Sequence, residues 1–162
     1  IGVLVGSDEV HTAQMRLRGY RDALEEYGVE YDESLVRRCD LTLEGGYRQA
    51  RRLLKANTGM TAMFLTNYDL TLGALIALNE RGVQIPGEMS VVGFDNIELA
   101  SVINPPLSTI SKPHYDMAWH VAEQLLQVIA GEPVPLSHTV VEPHLVLRST
   151  TRNAPEPHRR AR

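Results

Sequence analysis

Short apolar runs and longer segments of helical period alternate along the chain. The apolar runs predict buried β-strands at Ile1–Gly6, Ser34–Cys39, Thr61–Thr66 and Ser90–Phe94. The amphipathic segments between them predict three helices, the first capped by Thr12 and closed by Gly28, the others over Leu43–Ala56 and Asp69–Arg81. Because strands and helices alternate with short connections, the pattern predicts an α/β fold with a doubly wound parallel sheet covered on both faces.

A second pattern begins after Asp95. The Pro105-Pro106 turn leads into a short predicted strand, Leu107–Ile110, and then into a helix with Pro113 in its first turn. This helix carries two apolar stripes, one of Met117, Ala118, Val121, Leu125 and Ile129, the other of Tyr115, Trp119, Ala122 and Leu126. One sheet face could cover only one stripe, so the sequence predicts two packing partners. Two extended runs follow, at His138–Val141 and His144–Arg148.

Composition and charge restrict the class of protein. A chain of 162 residues with 43% hydrophobic residues is long enough for one domain with its own core. The formal net charge of −4 argues against a domain that holds nucleic acid by itself. Cys39 is the only cysteine, which excludes an intrachain disulfide and a multi-thiolate metal site. No apolar stretch approaches the roughly 20 residues that span a bilayer, so we expect no membrane partner.

The two ends of the chain carry further expectations. Ile1 opens directly on an apolar strand, without a methionine, a cap or a turn, so we expect the chain to start inside a domain. The segment from Asn153 onward is rich in Pro, Arg and His and has no periodicity, and we expect a flexible tail over residues 150–162.

Polar side chains follow the predicted strands at the point where each strand ends. In an open parallel sheet the ligand crevice lies outside the carboxyl ends of the strands. The side chains found there are Ser7, Asp8, Thr12, Arg16, Asp40, Asn67, Asp95 and Asn96. Each one alone is also typical of a turn or a helix cap. Together, carboxylates, a carboxamide and a guanidinium can chelate vicinal hydroxyls, so this rim favours a sugar without excluding a nucleobase or a phosphorylated sugar.

The motifs of common α/β enzymes are absent from the sequence. The first predicted strand ends in Gly6-Ser7-Asp8-Glu9 instead of a Gly-x-Gly-x-x-Gly turn, which disfavours a dinucleotide. The sequence has no Walker loop and no Gly-x-Ser-x-Gly elbow, and its six histidines lack metal-ligand spacing. We therefore expect a non-enzymatic protein with no catalytic residue, metal or cofactor. A nucleotide-using α/β enzyme is the alternative from another functional class.

Four blocks of the sequence resemble the LacI/GalR family of bacterial transcriptional regulators. In chain order they are Thr12–Leu24, with R-x-x-G-Y/F-x-x-A starting at Arg16, then Thr66-Asn67 with Thr71–Ala74, then Ile85-Pro86 with Ser90–Asn96, and finally Pro105–Ile110. The similarity covers nearly everything to Arg148. The resemblance implies a two-lobed sensor with the type I periplasmic-binding-protein-like fold, in which the effector sits between the lobes and the chain crosses between them three times.

The resemblance also implies how the chain divides. Residues 1–111 correspond to the C-terminal lobe of the effector-binding domain, and residues 112–142 to a segment of the N-terminal lobe. Residues 143–149 correspond to a strand that returns to the C-terminal lobe. Most of the N-terminal lobe and the DNA-binding head are then absent from this chain, and the second stripe of the apolar helix is expected to pack on the absent lobe.

Family effector positions correspond to residues that largely coincide with the rim found from the strand ends. They are Thr12, Arg16, Leu41, Asn67 and Asp95, with Tyr68 and Asp40 as possible additions. Leu41 stands where the family often has an aromatic ring, which makes a purine effector less favoured. Tyr68 stands where a carboxylate is usual, either near the cleft or packed beside it. Lys112 replaces a common glutamine at the crossover.

A homodimer is expected from two observations. The predicted helix Asp69–Arg81 is apolar around nearly its full circumference, which is more than one sheet face requires. In the family, the corresponding helix and the loop before the double proline form a two-fold interface, which implicates Leu72, Leu75, Val102 and Ile103. Burial of this helix within its own lobe is the simpler alternative.

The sequence therefore predicts the effector-sensing part of a cytoplasmic LacI-type repressor. A small sugar or sugar derivative would bind it and control operator affinity allosterically, through a DNA-binding head that this chain lacks. A periplasmic-type sugar-binding protein for transport or chemotaxis is the alternative with the same fold.

Overall fold

The computed structural model of the protein describes residues 1–56, 59–95, 98–134 and 139–154. Its helices and strands are β1 (Gly2–Val5), α1 (His11–Glu26), β2 (Val36–Arg38), α2 (Leu43–Lys55), β3 (Ala62–Leu65), α3 (Tyr68–Glu80), β4 (Ser90–Phe94), β5 (Ser108–Ser111), α4 (His114–Ile129) and β6 (His144–Val146). Short 3₁₀ turns precede β2 and follow β4. No helix in these ranges is long and apolar enough to cross a membrane.

Within the described residues, the strands form one sheet in the order β2-β1-β3-β4-β5-β6. The first five strands pair in parallel, which confirms the predicted α/β doubly wound fold. Strand β6 pairs antiparallel with β5, and His144 lies opposite Ser111. The chain thus re-enters the sheet beside the point where it left, and β6 must run in the opposite direction.

One face of the sheet is covered by α2 and α3. Alternate strand residues supply its core, namely Leu4, Met63, Leu65 and Val91. Glycines allow the two helices to approach closely, since a Cβ on Gly46 would lie 2.7 Å from Leu70 Cα and one on Gly73 would lie 2.5 Å from the Tyr47 backbone nitrogen. This face therefore depends on backbone-to-backbone packing between α2 and α3.

Helix α1 lies on the other face, so helices flank the sheet on both sides as predicted, but this second face is only partly covered within the described residues. Helix α1 packs on Val3, Val5 and Val36 at one side of the sheet. Across β3 to β6 the face stays open as an apolar groove of about 580 Å³, whose sheet residues include Phe64, Val92, Phe94, Ile110 and Leu145. The strands are apolar on both sides, but α1 is too narrow to cover six of them.

Helix α1 begins earlier than predicted. Its N-cap is Val10, which makes no side-chain cap bond, and Thr12 lies in the first turn. The Val10 carbonyl already accepts hydrogen bonds from the backbones of Ala13 and Gln14, at 2.9 and 3.1 Å. The prediction that Thr12 caps the helix is therefore wrong, and its hydroxyl is not used as a cap. Gly28 does close the helix, in the left-handed conformation at φ 64°.

Helix α4 has no buried residue. Its large apolar side chains are exposed on both predicted stripes, with Tyr115 at 76%, Trp119 at 58%, Val121 at 66% and Ile129 at 72%. The expected unfilled apolar surface is therefore present on α4.

The segments around β6 differ from the sequence expectation. Residues 139–141 form no strand, and His138 lies outside the described residues. Thr150, assigned to the flexible tail, is fully buried, and its hydroxyl donates to the Val91 carbonyl at 2.7 Å and accepts from the Ser108 amide at 2.8 Å. Residues 150–152 are therefore held on β4 and β5, because a buried hydroxyl satisfies two backbone groups there.

Candidate functional site

Arg16 connects the carboxyl ends of two neighbouring strands. It lies one turn after Thr12 on α1, and its guanidinium donates a hydrogen bond to the Thr66 carbonyl at 2.5 Å, directly after β3. The guanidinium carbon also lies 4.0 Å from the centre of the ring of Phe94, the last residue of β4. Burial lowers the pKa of Arg16, and the nearby Asp95 carboxylate opposes that shift. The side chain is therefore a partly desolvated donor held at the predicted rim.

Asn67 is fixed between β3 and α3 as a helix cap. Its side-chain oxygen accepts from the backbone amides of Asp69 and Leu70, at 2.9 and 3.2 Å. The cap occupies the oxygen and leaves the amide nitrogen with its two donors. Both sequence-level interpretations, cap and ligand group, thus apply to different atoms of the same side chain.

Asp95 follows β4 in an unusual backbone conformation. Its φ of 76° lies in the left-handed region, which few residues other than Gly, Asn and Asp adopt. The Lys112 ammonium lies 2.6 Å from Asp95 Oδ1. The two groups form a close ion pair, and within the described residues Oδ1 has no further hydrogen-bond partner.

The remaining family positions, Thr12 and Leu41, lie near the carboxyl end of β1. Thr12 is exposed on the first turn of α1. Leu41 is partly buried beside Gly6, where a Cβ would lie 3.0 Å from a Leu41 methyl carbon and 3.1 Å from Ala13. Leu41 therefore forms an apolar wall next to the end of β1, close to the helix that carries Thr12 and Arg16.

Tyr68, Asp40 and Asp8 make contacts away from Arg16 and Asp95. Tyr68 packs against the core between α2 and α3. Asp40 is exposed, and its nearest cation is Arg48 at 3.9 Å. Asp8 is paired with Arg38 at 2.8 Å. Asn96 lies outside the described residues. The structure thus connects Arg16, Thr66 and Phe94 directly, whereas Asp40 and Asp8 pair with their own arginines.

Phe94 and Lys112 were not among the predicted site residues. Phe94 and Val92 are two residues apart on β4 and therefore lie on the same face of the sheet. Strand periodicity could thus have placed the Phe94 ring on the side that α1 partly covers. Lys112 was noticed only as a departure from the family pattern. Its ammonium lies 5.5 Å from the centre of the Phe94 ring as well as beside Asp95.

The predicted dimer residues lie together on another surface. Leu72, Leu75 and Ile103 line a groove of about 670 Å³ with Leu43, Ile76, Val83 and Ile85. Val102 is 71% exposed in the loop that precedes the double proline. Helix α3 therefore buries one side in the core of the chain and presents part of the other to solvent.

Among the described residues, no group of three or more His, Cys, Asp or Glu side chains is placed to hold a metal ion. Cys39 is buried, and burial raises the pKa of its thiol to about 11. That shift opposes a nucleophilic role, because the thiolate is the reactive form.

Comparison with known proteins identifies the family. Residues 1–151 match the family model described as a periplasmic binding protein-like domain, and the chain belongs to that family.

The relatives that the chain matches are transcriptional regulators. It is 33% identical over 155 residues to the HTH-type transcriptional repressor CytR of Escherichia coli K12, covering 96% of this chain and 46% of that protein. The crystal structure of the Escherichia coli transcriptional repressor AscG gives a TM-score of 0.82 at 32% identity, over 92% of this chain and 54% of the other. The structure of the transcriptional regulator CelR in complex with cellobiose gives a TM-score of 0.84 at 32% identity, over 92% of this chain and 46% of the other. The resemblance to the effector-binding region of LacI/GalR regulators is confirmed, and the chain spans about half the length of the curated relatives it matches.

Proposed function

We propose that this chain is the effector-sensing part of a LacI-type transcriptional repressor that binds a small carbohydrate. The observation that carries the proposal is the position of Arg16, which connects the ends of β3 and β4 beside Asn67 and Asp95. This arrangement offers a guanidinium fork on Arg16, amide donors on Asn67 and a carboxylate on Asp95. Those groups complement the paired hydroxyls of a sugar.

The names of the relatives support a repressor over a transport protein of the same fold. CytR and AscG are repressors by name, and the CelR complex contains cellobiose. In this proposal Thr12 and Leu41 line the cleft, and Asp40 and Tyr68 are peripheral to it. A repressor acts where the chromosome is, so the whole protein would work in the cytoplasm.

The exposed helix α4 supports the proposed division between two lobes. Residues 1–111 would form the C-terminal lobe, residues 112–142 a part of the N-terminal lobe, and residues 143–149 a return strand. The apolar stripes of α4 would then pack within the other lobe. An effector that binds between the lobes would favour their closure.

Control of transcription would follow from coupling between the cleft and a DNA-binding head. In a homodimer, closure of both sensors would change the spacing of the two heads on an operator. The coupling is reciprocal, so operator DNA must change effector affinity by the same factor as effector changes operator affinity.

The test uses the full-length protein and a panel of glucose, galactose, ribose and cellobiose in calorimetry. We expect a panel sugar to bind, and Arg16→Ala and Asp95→Ala each to weaken it by at least about tenfold, since a charge-assisted hydrogen bond contributes roughly 1.5–3 kcal/mol. Arg18→Ala and Asp22→Ala are matched controls, because these two residues form an exposed ion pair on α1. Unchanged affinity in both site variants would show that the cleft lies elsewhere.

A second measurement separates the repressor from the transport protein. The full-length protein is titrated against DNA from upstream of its own gene, with and without the bound sugar. A repressor gives operator affinity that changes with the sugar, and a transport protein binds the sugar without specific DNA affinity.

A further inference from the structure

Lys112 brings a second cation into the proposed cleft. It follows β5 at the point where the chain leaves the sheet, and its ammonium lies 2.6 Å from Asp95 Oδ1. Both Lys112 and Arg16 have their charged groups within 6 Å of the Phe94 ring centre, at 5.5 and 4.0 Å. The end of β4 is thus surrounded by two cations and one carboxylate.

The charges of this cluster do not cancel. Asp95 faces both Lys112 and Arg16, so the three groups together carry one excess positive charge. The carboxylates of Asp8 and Asp40, which follow β1 and β2, pair with Arg38 and Arg48 instead. A neutral ligand that hydrogen-bonds to the Asp95 carboxylate would break its ion pair with Lys112 and leave the ammonium without a counterion. A ligand with its own anionic group would replace that counterion.

We infer that Lys112 is a specificity-determining residue that selects a carbohydrate carrying an anionic group, either a carboxylate or a phosphate. This inference rests on the proposed function, which places a sugar at the same rim. Asp95 would accept from sugar hydroxyls once Lys112 turns toward the anion. A lysine suits this exchange, because its ammonium is a compact charge on a flexible four-carbon stem.

Arg16 is less free to make that exchange. Its guanidinium donates to the Thr66 carbonyl and lies 4.0 Å from the centre of the Phe94 ring, so a change of direction would break both contacts. Within the described residues, the Lys112 ammonium contacts the Asp95 carboxylate and lies 5.5 Å from the centre of the Phe94 ring. The selective step is therefore assigned to Lys112, with Arg16 as the fixed donor.

The experiment compares matched sugars on the full-length protein. Glucose and galactose are each titrated beside the corresponding uronate (glucuronate and galacturonate) and the 6-phosphate, and ribose is titrated beside ribose 5-phosphate, with inorganic phosphate as a probe of the anion alone. An anionic member should bind about 10- to 100-fold more tightly than its neutral parent. Preference for the acid or for the phosphate distinguishes the two sources of charge.

Variants test whether Lys112 is responsible. Lys112→Gln should reduce the preference of the anionic over the neutral member to less than about threefold, and Lys112→Arg should keep it. Lys55→Gln is the matched control, because it removes the chain's other lysine at the distant C-terminal end of α2. Raising the salt concentration on the unmodified protein gives a readout independent of folding, since it should weaken the anionic sugar more than the neutral one.

The outcomes separate this inference from the proposed function. Equal affinity for neutral and anionic members, or an anion preference that survives in a folded Lys112→Gln variant, overturns the role of Lys112 and leaves sugar sensing intact. Binding of no sugar in the panel contradicts both proposals.

Discussion

The central carbon of the Arg16 guanidinium lies 4.0 Å from the centre of the Phe94 ring, while the same guanidinium donates a hydrogen bond to the Thr66 carbonyl. The ring and the carbonyl belong to β4 and to the end of β3, and the arginine belongs to α1. The Arg16 side chain thus connects α1 with the ends of β3 and β4. Under the proposed function, its donors would already be held in place when a sugar binds, which would reduce the ordering cost of binding.

Phe94→Leu should weaken effector binding without unfolding the protein. Loss of the cation–π contact is worth about 1 kcal/mol, or roughly fivefold in affinity. The measurement is calorimetry on the full-length protein. Phe64→Leu is the matched control, since Phe64 is the chain's other phenylalanine and lines the same apolar groove. An equal loss of effector affinity in both variants would mean that packing of the apolar groove, and not the orientation of Arg16, is responsible.

Gly73→Ala should destabilise the isolated chain by about 3 kcal/mol. The added Cβ would collide with backbone atoms of α2, including the Tyr47 nitrogen at 2.5 Å, and the two helices would have to separate. The free energy of unfolding is measured by urea denaturation. Gly19→Ala in α1 is the control, because nothing lies within 4 Å of its Cβ position. That variant should gain up to about 1 kcal/mol from helix propensity, and a Gly73→Ala chain of unchanged stability would contradict the close packing.

The element order was predictable because strand and helix periods depend on local sequence. The rim was also predictable, since parallel topology alone places Arg16, Asn67 and Asp95 at one edge. The start of α1 was missed because Thr12 is a good capping residue in isolation, whereas the Val10 carbonyl supplies the first helical bonds.

Other features depend on contacts between distant segments. Thr150 is buried by β4 and β5, about 40 residues or more away in sequence, and nothing in its local composition indicates this. The pairing of Lys112 with Asp95 likewise joins the end of β4 to the end of β5. Sequence patterns describe single elements, and such pairs become visible only when the sheet is assembled.

Cys39 should react slowly with thiol reagents in the native protein. With a pKa of about 11, only about one thiol in a thousand is ionised near pH 8, against a substantial fraction for an ordinary cysteine. Ellman's reagent should react at least about 100-fold faster after unfolding in guanidinium. Because the folded pKa is raised, the unfolded chain ionises first, so stability should fall as pH rises from about 9 to about 11. Cys39→Ala should remove that pH dependence, and rapid native labelling would show that the thiol is accessible.

Leu75→Glu should dissociate the proposed homodimer. A two-fold interface presents each substituted residue to the same surface of its partner, so both copies would bury an unpaired carboxylate. Sedimentation of the full-length protein should change from dimer to monomer. Met15→Glu is the control, since Met15 is a 43% exposed apolar residue on α1, away from this groove. A Leu75→Glu protein that remains dimeric would place the interface on another surface.

Trp119 should report whether α4 belongs to a second lobe. It is the chain's only tryptophan, it is 58% exposed, and it stacks on Tyr115 at a ring distance of 6.4 Å. In the isolated chain its fluorescence should resemble that of tryptophan in water and be quenched readily by acrylamide. In the full-length protein the emission should shift to shorter wavelength and quenching should fall severalfold, because apolar contacts would replace water around the ring. The difference between the parent and a Trp119→Phe variant isolates this signal from other tryptophans, and equal quenching in both contexts would contradict the packing of α4 within another lobe.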